Sequence, residues 1–182
     1  MKIQINNLTE ENLKDAPEWN SYPLSFRYCI YWEYPEEFIG LEKQNKDLIL
    51  RVKSKWLSKV RKEFGNCGKL IYVDGKSVGY AQFAPPKVFP NLMNYNAGRP
   101  DNDAVIISCL FICNKNFRNL GLGKRLLSDI IDDLKSRDVK IVETFARKSN
   151  SENPSGPLEF YIKSGFRIYK DDPEFPLLRL DL

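Results

Sequence analysis

The chain has 182 residues, with 28 Lys and Arg against 24 Asp and Glu, four cysteines and no histidine. Without imidazole it cannot build a Ser-His-Asp triad, a Cys-His dyad or a His-ligated zinc site, so any acid–base work falls to carboxylate, Tyr, Lys, Cys or water. A net charge of +4 is too small an excess for a dedicated nucleic-acid binder and leaves an anionic small molecule open as a partner.

The length predicts one domain over residues 1–182, able to bury about two-thirds of its unfolded surface around a single core. The N-terminal residues Met-Lys-Ile-Gln-Ile-Asn-Asn lack the apolar region of a signal peptide, and no stretch approaches the ~20 apolar residues of a membrane span; the expectation is a cytoplasmic protein. Cys29, Cys67, Cys109 and Cys113 show no zinc-type spacing. On one strand Cys109 and Cys113 would stand roughly 13 Å apart, beyond the ~7 Å a disulfide spans. All four are read as reduced thiols, and no metal is expected.

Ile3 and Ile5 alternate with polar residues and predict a strand, after which Thr9 is placed to cap a short helix. From Leu48 to Phe64 the apolar residues, among them Val52, Trp56, Leu57 and Val60, fall at helical spacing, and Gly65 follows as a terminator. Arg51, Lys53, Lys55, Lys59, Arg61 and Lys62 fall in an acid-free stretch and read as the solvated face of that helix. Residues 70–73 and 78–83 flank Asp74-Gly75, which tolerates positive φ, and predict a hairpin. Residues 84–103 carry Pro85, Pro86, Pro90 and Pro100 and read as a long, lid-like loop.

Ala104 to Cys113 is an almost unbroken apolar run, which suits a central strand covered on both faces. Gly121 opens a helix with Leu122, Leu126, Leu127, Ile130 and Leu134 on one stripe, and Val139 to Ala146 returns as a strand. Such a unit makes the two strands parallel with a right-handed crossover. Pro157 then suits the start of a short helix ending at Gly165, followed by strands over 166–170 and 177–181. The fold class is mixed α/β, in the order β-α-α-β-β-β-α-β-α-β-β.

The segment Asn116-Phe117-Arg118-Asn119-Leu120-Gly121-Leu122-Gly123-Lys124 lies between the buried strand and the amphipathic helix. Backbone amides at such a helix start, aided by the helix dipole, bind phosphate oxygens, and the glycines admit the ligand close to the backbone. A Walker A loop would need Gly at Arg118 and Ser or Thr at Arg125, and the Rossmann fingerprint would need Gly at Leu126. Both nucleotide readings fail on those residues, while a pyrophosphate site remains.

Arg118-x-x-Gly121-x-Gly123 after the strand Leu110-Phe111-Ile112 resembles motif A of the GCN5-related N-acetyltransferase (GNAT) family, and Phe160-Tyr161-Ile162-Lys163-Ser164-Gly165-Phe166 resembles its second signature. Asn114 stands where that family commonly has proline. The resemblance covers most of the chain. It implies a mixed, mostly antiparallel sheet whose central parallel pair splays apart to admit acetyl-CoA as co-substrate, with helices on both faces. It implies that Leu110, Phe111 and Ile112 pair with the pantetheine arm, that Arg118, Asn119, Leu120, Gly121, Leu122, Gly123 and Lys124 hold the pyrophosphate, and that Asn153 and Ser155 touch pantetheine.

It also places Tyr161 as general acid, which suits a phenol of pKa about 10 that must protonate a leaving thiolate. The base stays unassigned among Asp101, Asp103, Glu143, Glu33 and a water chain. The implied activity is N-acetyl transfer to a primary amine of a small molecule or peptide, and the family often forms homodimers. Two competitors remain: a non-catalytic acyl-CoA-binding module on the same fold, and a nucleic-acid binder using the lysine helix.

Residues 19–38 hold Trp19, Tyr22, Phe26, Tyr28, Tyr31, Trp32, Tyr34 and Phe38. The resemblance sets this segment beside the acceptor cleft, with Tyr31 and Trp32 as pocket walls and Glu33 as a counter-charge. The Pro-rich loop of residues 84–103 is the second candidate determinant. Neither identifies the acceptor.

Overall fold

A computed structural model of the chain describes residues 1–18, 25–40, 45–149 and 152–182. Seven strands form one sheet: β1 (Ile3–Asn7), β2 (Gly68–Val73), β3 (Lys76–Ala84), β4 (Val105–Ile112), β5 (Ile141–Phe145), β6 (Arg167–Lys170) and β7 (Leu177–Asp181). Their order is β1-β2-β3-β4-β5-β7-β6. All neighbours are antiparallel except β4 and β5, which are parallel. Among the described residues no helix is long and apolar enough to cross a membrane.

Helix α2 (Lys46–Phe64) follows a one-turn α1 (Pro35–Phe38) that the sequence reading did not anticipate. Asn45 caps α2, its side chain accepting from the amides of Asp47 and Leu48, and Gly65 ends it at φ +94°. Its buried stripe packs Trp56, Leu57 and Val60 onto one face of the sheet. Helix α3 (Leu122–Ser136) lays Leu122, Leu126, Leu127, Ile130 and Leu134 onto the other face, where Tyr161 of α4 (Leu158–Lys163) joins them. The sheet is therefore covered on both sides, as the apolar run of β4 requires.

β4 does not alternate regularly. Val105 and Ile107 face the α3 side and Ile106 the α2 side, yet beyond Ser108 it is Leu110 and Ile112 that face α3, with Cys109 and Phe111 opposite. Strict period-two geometry would put Cys109 with Val105, so one residue has been inserted. The register confirms a bulge, because Gln82 pairs with Cys109 while Phe83 pairs with Ile107. β4 meets β5 only at Val105–Val142 and Ile106–Glu143, before the bulge. Past Ser108 the two parallel strands separate, leaving the β5-facing edge of residues 110–112 outside the strand pairing.

Three expectations are corrected. The helix after Thr9 does not form: the Thr9 amide donates to Asn12 Oδ1 at 2.7 Å, the Asn12 amide donates to Thr9 Oγ1 at 3.2 Å, and the chain makes only a 3-10 turn at Leu13–Asp15. Pro17 drives Ala16 out of the helical region (ψ 125°) and closes off any extension. Residues 84–103 are not an open loop standing off the core. They form 3-10 turns at Pro86–Val88 and Pro90–Asn94 that bury Phe89 and Leu92, and Val88 O accepts from Trp56 Nε1 at 3.3 Å. Lys53 is not on a solvated face but 2% exposed, bonded to Glu33 Oε1 and Gln82 Oε1.

Candidate active site

The stretch joining β4 to α3 turns twice into the left-handed region, at Asn119 (φ +61°) and Gly121 (φ +78°). Alternating hands in this way gathers successive N–H groups on one concave side, the arrangement that binds anions. A side chain added at Gly121 would meet nothing within 4 Å, so glycine is required there for its backbone and not for space. The buried stripe of α3 fixes the helix with its first turn at this concavity. No side chain caps that turn and no acid stands in it. Its free amides and the dipole of a four-turn helix therefore act on whatever occupies the space.

That space is a cavity of about 490 Å³ bounded by residues 110–112, 117–119 and 121–124, with Pro157 and Phe160 opposite. Nine residues that the family resemblance assigned to acetyl-CoA meet here, from the edge of β4 and from the turn. Leu120 does not: its side chain is exposed outside the cavity. Arg118 stays at the rim, its Nε donating to Ile112 O at 2.8 Å and its guanidinium lying 4.7 Å from the Phe111 ring centre. The same guanidinium pairs with Glu152, and that bond holds the Glu152 carboxyl below its ordinary range.

Residues 152–157 cross the gap between the separated strands. Pro154 O accepts from the Leu110 amide at 2.9 Å, on the strand edge that β5 has left. The turn is held by Asn153, whose Oδ1 accepts from the Ser155 amide and whose carbonyl accepts from the Gly156 amide, both at 2.9 Å. Gly156 sits at φ +81°, and a Cβ there would fall 3.0 Å from Tyr161 Cε2 and 3.3 Å from its hydroxyl. Tyr161 is fully buried beneath this turn, between Phe160 and Phe166, and its hydroxyl has no hydrogen-bond partner among the described residues. Burial pushes the phenol well above its ordinary pKa, against a smaller opposing effect of the Thr144 hydroxyl.

On the other side of the same turn lies a second cavity of about 280 Å³. Asn153, Pro154 and Ser155 line it together with Cys109 of β4, so Asn153 and Ser155 line this cavity and not the larger one. Tyr31 and Trp32 also line it, Trp32 Nε1 donating to Cys109 Sγ at 3.3 Å. Tyr95, from the Pro-rich loop, stacks between Trp32 and Phe145 at 5.2 and 4.4 Å, and Phe175 meets it edge-on at 5.3 Å. Only the anomalous length of its loop pointed to Tyr95 in advance, and nothing pointed to Phe175. Trp19 and Tyr22 lie outside the described residues.

The carboxylates considered as bases are occupied or remote. Glu33 lines neither cavity, and its Oε1 is held by Lys53 and by Gln82 Nε2. Glu143 is fully buried, accepting from Arg179 and from the Asp101 amide at 3.0 Å. Asp101 completes that cluster through Arg179, and Asp103 is exposed away from both cavities.

The whole architecture matches solved structures across its length. It superposes on PaiA N-acetyltransferase from Thermoplasma acidophilum, solved in complex with coenzyme A, with a TM-score of 0.60 at 18% identity, covering 100% of both chains. The ribosomal-protein-alanine N-acetyltransferase from Brucella melitensis gives 0.59 at 19% identity, covering 98% of this chain and 99% of that one. The ribosomal-protein-S18-alanine N-acetyltransferase from Escherichia coli gives 0.58 at 14%, covering 99% and 94%. These identities speak to the fold alone. No curated protein matches the sequence. Residues 7–166, which carry both the glycine turn at the start of α3 and Tyr161, match the acetyltransferase (GNAT) family, and the chain belongs to that family.

Proposed function

We propose that the protein moves an acetyl group from acetyl-CoA to a primary amine by direct attack on the thioester. One observation carries this reading: an uncapped, acid-free helix start with two left-handed turns opens onto the same cavity as a strand edge that its parallel neighbour has abandoned. The first feature suits a pyrophosphate and the second an amide-bearing arm that completes a missing strand. The residues therefore fit acetyl-CoA, which supplies a thioester whose sulfur can leave.

The protein's own groups have defined tasks in this reading. Amides of residues 118–124 and Lys124 hold the phosphates, while the Leu110 amide polarises the thioester carbonyl. Tyr161, kept protonated by burial, delivers a proton to the departing sulfur. In the described conformation both groups are covered by one turn, since Pro154 O occupies the Leu110 amide and Gly156 lies on the Tyr161 ring. Productive binding thus requires residues 152–157 to give up the Leu110 bond and the Arg118–Glu152 pair. A phosphate and a thioester carbonyl are suitable replacements, because each offers the donor an equivalent acceptor.

The test is thermal unfolding with and without CoA, followed by acetyl-CoA-dependent thiol release over a panel of amines. A CoA-induced rise in Tm with amine-dependent turnover is expected. A rise without turnover for any amine would favour the non-catalytic acyl-CoA-binding module, and no rise at high CoA would remove the reading altogether.

A further inference from the structure

We propose that the 280 Å³ cavity takes a primary amine carried on an uncharged aromatic or branched apolar body. The inference rests on the acetyl-transfer reading above and adds the chemical class of the acceptor.

Six rings supply most of the wall: Phe26, Tyr31, Trp32, Phe38, Tyr95 and Phe175. The rest is two thiols and the turn Asn153-Pro154-Ser155, so no charged side chain lines the cavity among the described residues. Neighbouring carboxylates stand outside the lining: Glu33 pairs with Lys53 through Oε1 while its buried Oε2 has no hydrogen-bond partner among the described residues, and Glu143 and Asp101 pair with Arg179. Cys29 and Cys109 are held neutral by burial and offer no negative charge either. A polyamine, a lysine side chain with its own charged backbone groups, or an aminoglycoside would bring at least one further charge into this space without a partner. A single ring on a short arm instead exchanges its water for stacking against flat faces. The volume lies just under the ~300–1,000 Å³ typical of drug-sized ligand sites, which suits such a compact body.

The same walls account for the missing base. An ammonium loses its hydration here and gains no counter-charge, so its pKa falls and the amine enters neutral, its proton left in bulk water. The nitrogen lone pair then forms the C–N bond and the C–S bond breaks. The nitrogen gives up one proton and the sulfur gains one, so the transfer is proton-neutral and no carboxylate has to store charge. The geometry suits delivery, because Cys109 lines this cavity and the next residue on β4, Leu110, lines the larger one, while the turn of residues 152–157 gives Asn153, Pro154 and Ser155 to the first and Pro157 to the second.

The experiment is a thiol-release assay with saturating acetyl-CoA. Phenylethylamine, tryptamine and a tripeptide beginning with phenylalanine form one set; lysine, spermidine and kanamycin form the other. The first set is expected to exceed the second by about tenfold or more in kcat/KM. The tripeptide arm tells whether the apolar amine is a free molecule or the end of a peptide. For phenylethylamine KM is expected to fall about tenfold per pH unit between pH 7 and 9, with kcat little changed, as the neutral fraction rises. Phe38→Asp puts a carboxylate into the half-buried wall and is expected to reverse the preference towards spermidine, while the CoA-induced rise in Tm shows that the variant folds.

Preference of the unaltered protein for spermidine, lysine or kanamycin, or a pH-independent KM, would overturn the inference and leave acetyl transfer standing. Absence of both CoA stabilisation and turnover would instead overturn the underlying reading.

Discussion

Tyr161 combines two properties that rarely coexist without a reason. It is fully buried, and among the described residues its hydroxyl has no hydrogen-bond partner of good geometry, the Thr144 hydroxyl acting on it only weakly, although an unsatisfied buried polar group costs about 1–3 kcal/mol. Removing that hydroxyl should therefore act in opposite directions on folding and on turnover. Tyr161→Phe is expected to leave Tm unchanged or slightly raised and to lower kcat by ~10² or more, with CoA affinity retained. Calorimetry and single-turnover kinetics on one preparation check both halves. A variant that loses Tm and activity together would mark the ring as core packing only. This residue was legible from its place in the Tyr-x-x-x-Gly-Phe stretch. Its burial was not, because the covering turn comes from the positive φ of Gly156, which sequence pattern does not reveal.

At the scale of elements, legibility followed locality. Helices α2 and α3 and the strands announced themselves because their periods and end signals are written within a few consecutive residues. The bulge at Ser108 was hidden in an unbroken apolar run, where no alternation existed to be interrupted. Lys53 sits mid-run among solvated bases, and only Glu33 and Gln82, distant in sequence, explain its burial. The Pro-rich loop was expected to move, yet Phe89 is buried against Trp56 at 5.6 Å between ring centres. Phe89→Ala should cost about 3–5 kcal/mol, measurable as a drop in denaturation midpoint; an effect below about 1 kcal/mol would restore a loop standing off the core. The turn of residues 152–157 makes the complementary prediction for binding. Its Arg118–Glu152 pair is solvent-accessible, half-exposed at Glu152 and less so at Arg118, so it is worth about 0.2–1 kcal/mol. Glu152→Gln should accordingly tighten CoA binding by up to about fivefold in titration calorimetry, whereas Arg118→Ala should weaken it. Weaker binding by Glu152→Gln would mean that the carboxylate supports the bound state and does not compete with it.

For the whole molecule, the absence of histidine sets how stability responds to pH. Between about pH 6 and 8 ordinary carboxylates have finished titrating and thiols have barely begun, and Glu143, raised by burial, is the described carboxylate that moves towards this window. Tm should therefore be close to level across that window. Above it the thiols decide the outcome. Cys67 is fully buried and its pKa is pushed up to about 12, while Cys29 and Cys109 are raised for the same reason, loss of hydration of the thiolate. In the unfolded chain each ionises near 8.5. Between those values the folded state holds protons that the unfolded state has released, so stability falls as pH rises, by about 1.4 kcal/mol per unit for each such group. From pH 8.5 to 10 Cys67 alone removes about 2 kcal/mol, which for a chain of this size lowers Tm by roughly 5 °C. Scanning calorimetry at pH 6, 7, 8, 9 and 10 checks the shape, and Cys67→Ala should make the alkaline limb less steep, Cys29 and Cys109 sustaining the rest, while lowering Tm modestly at pH 7. A slope between pH 6 and 8 would require Glu143 or some other group to titrate there, and a level Tm from pH 8 to 10 would mean that water reaches these thiols.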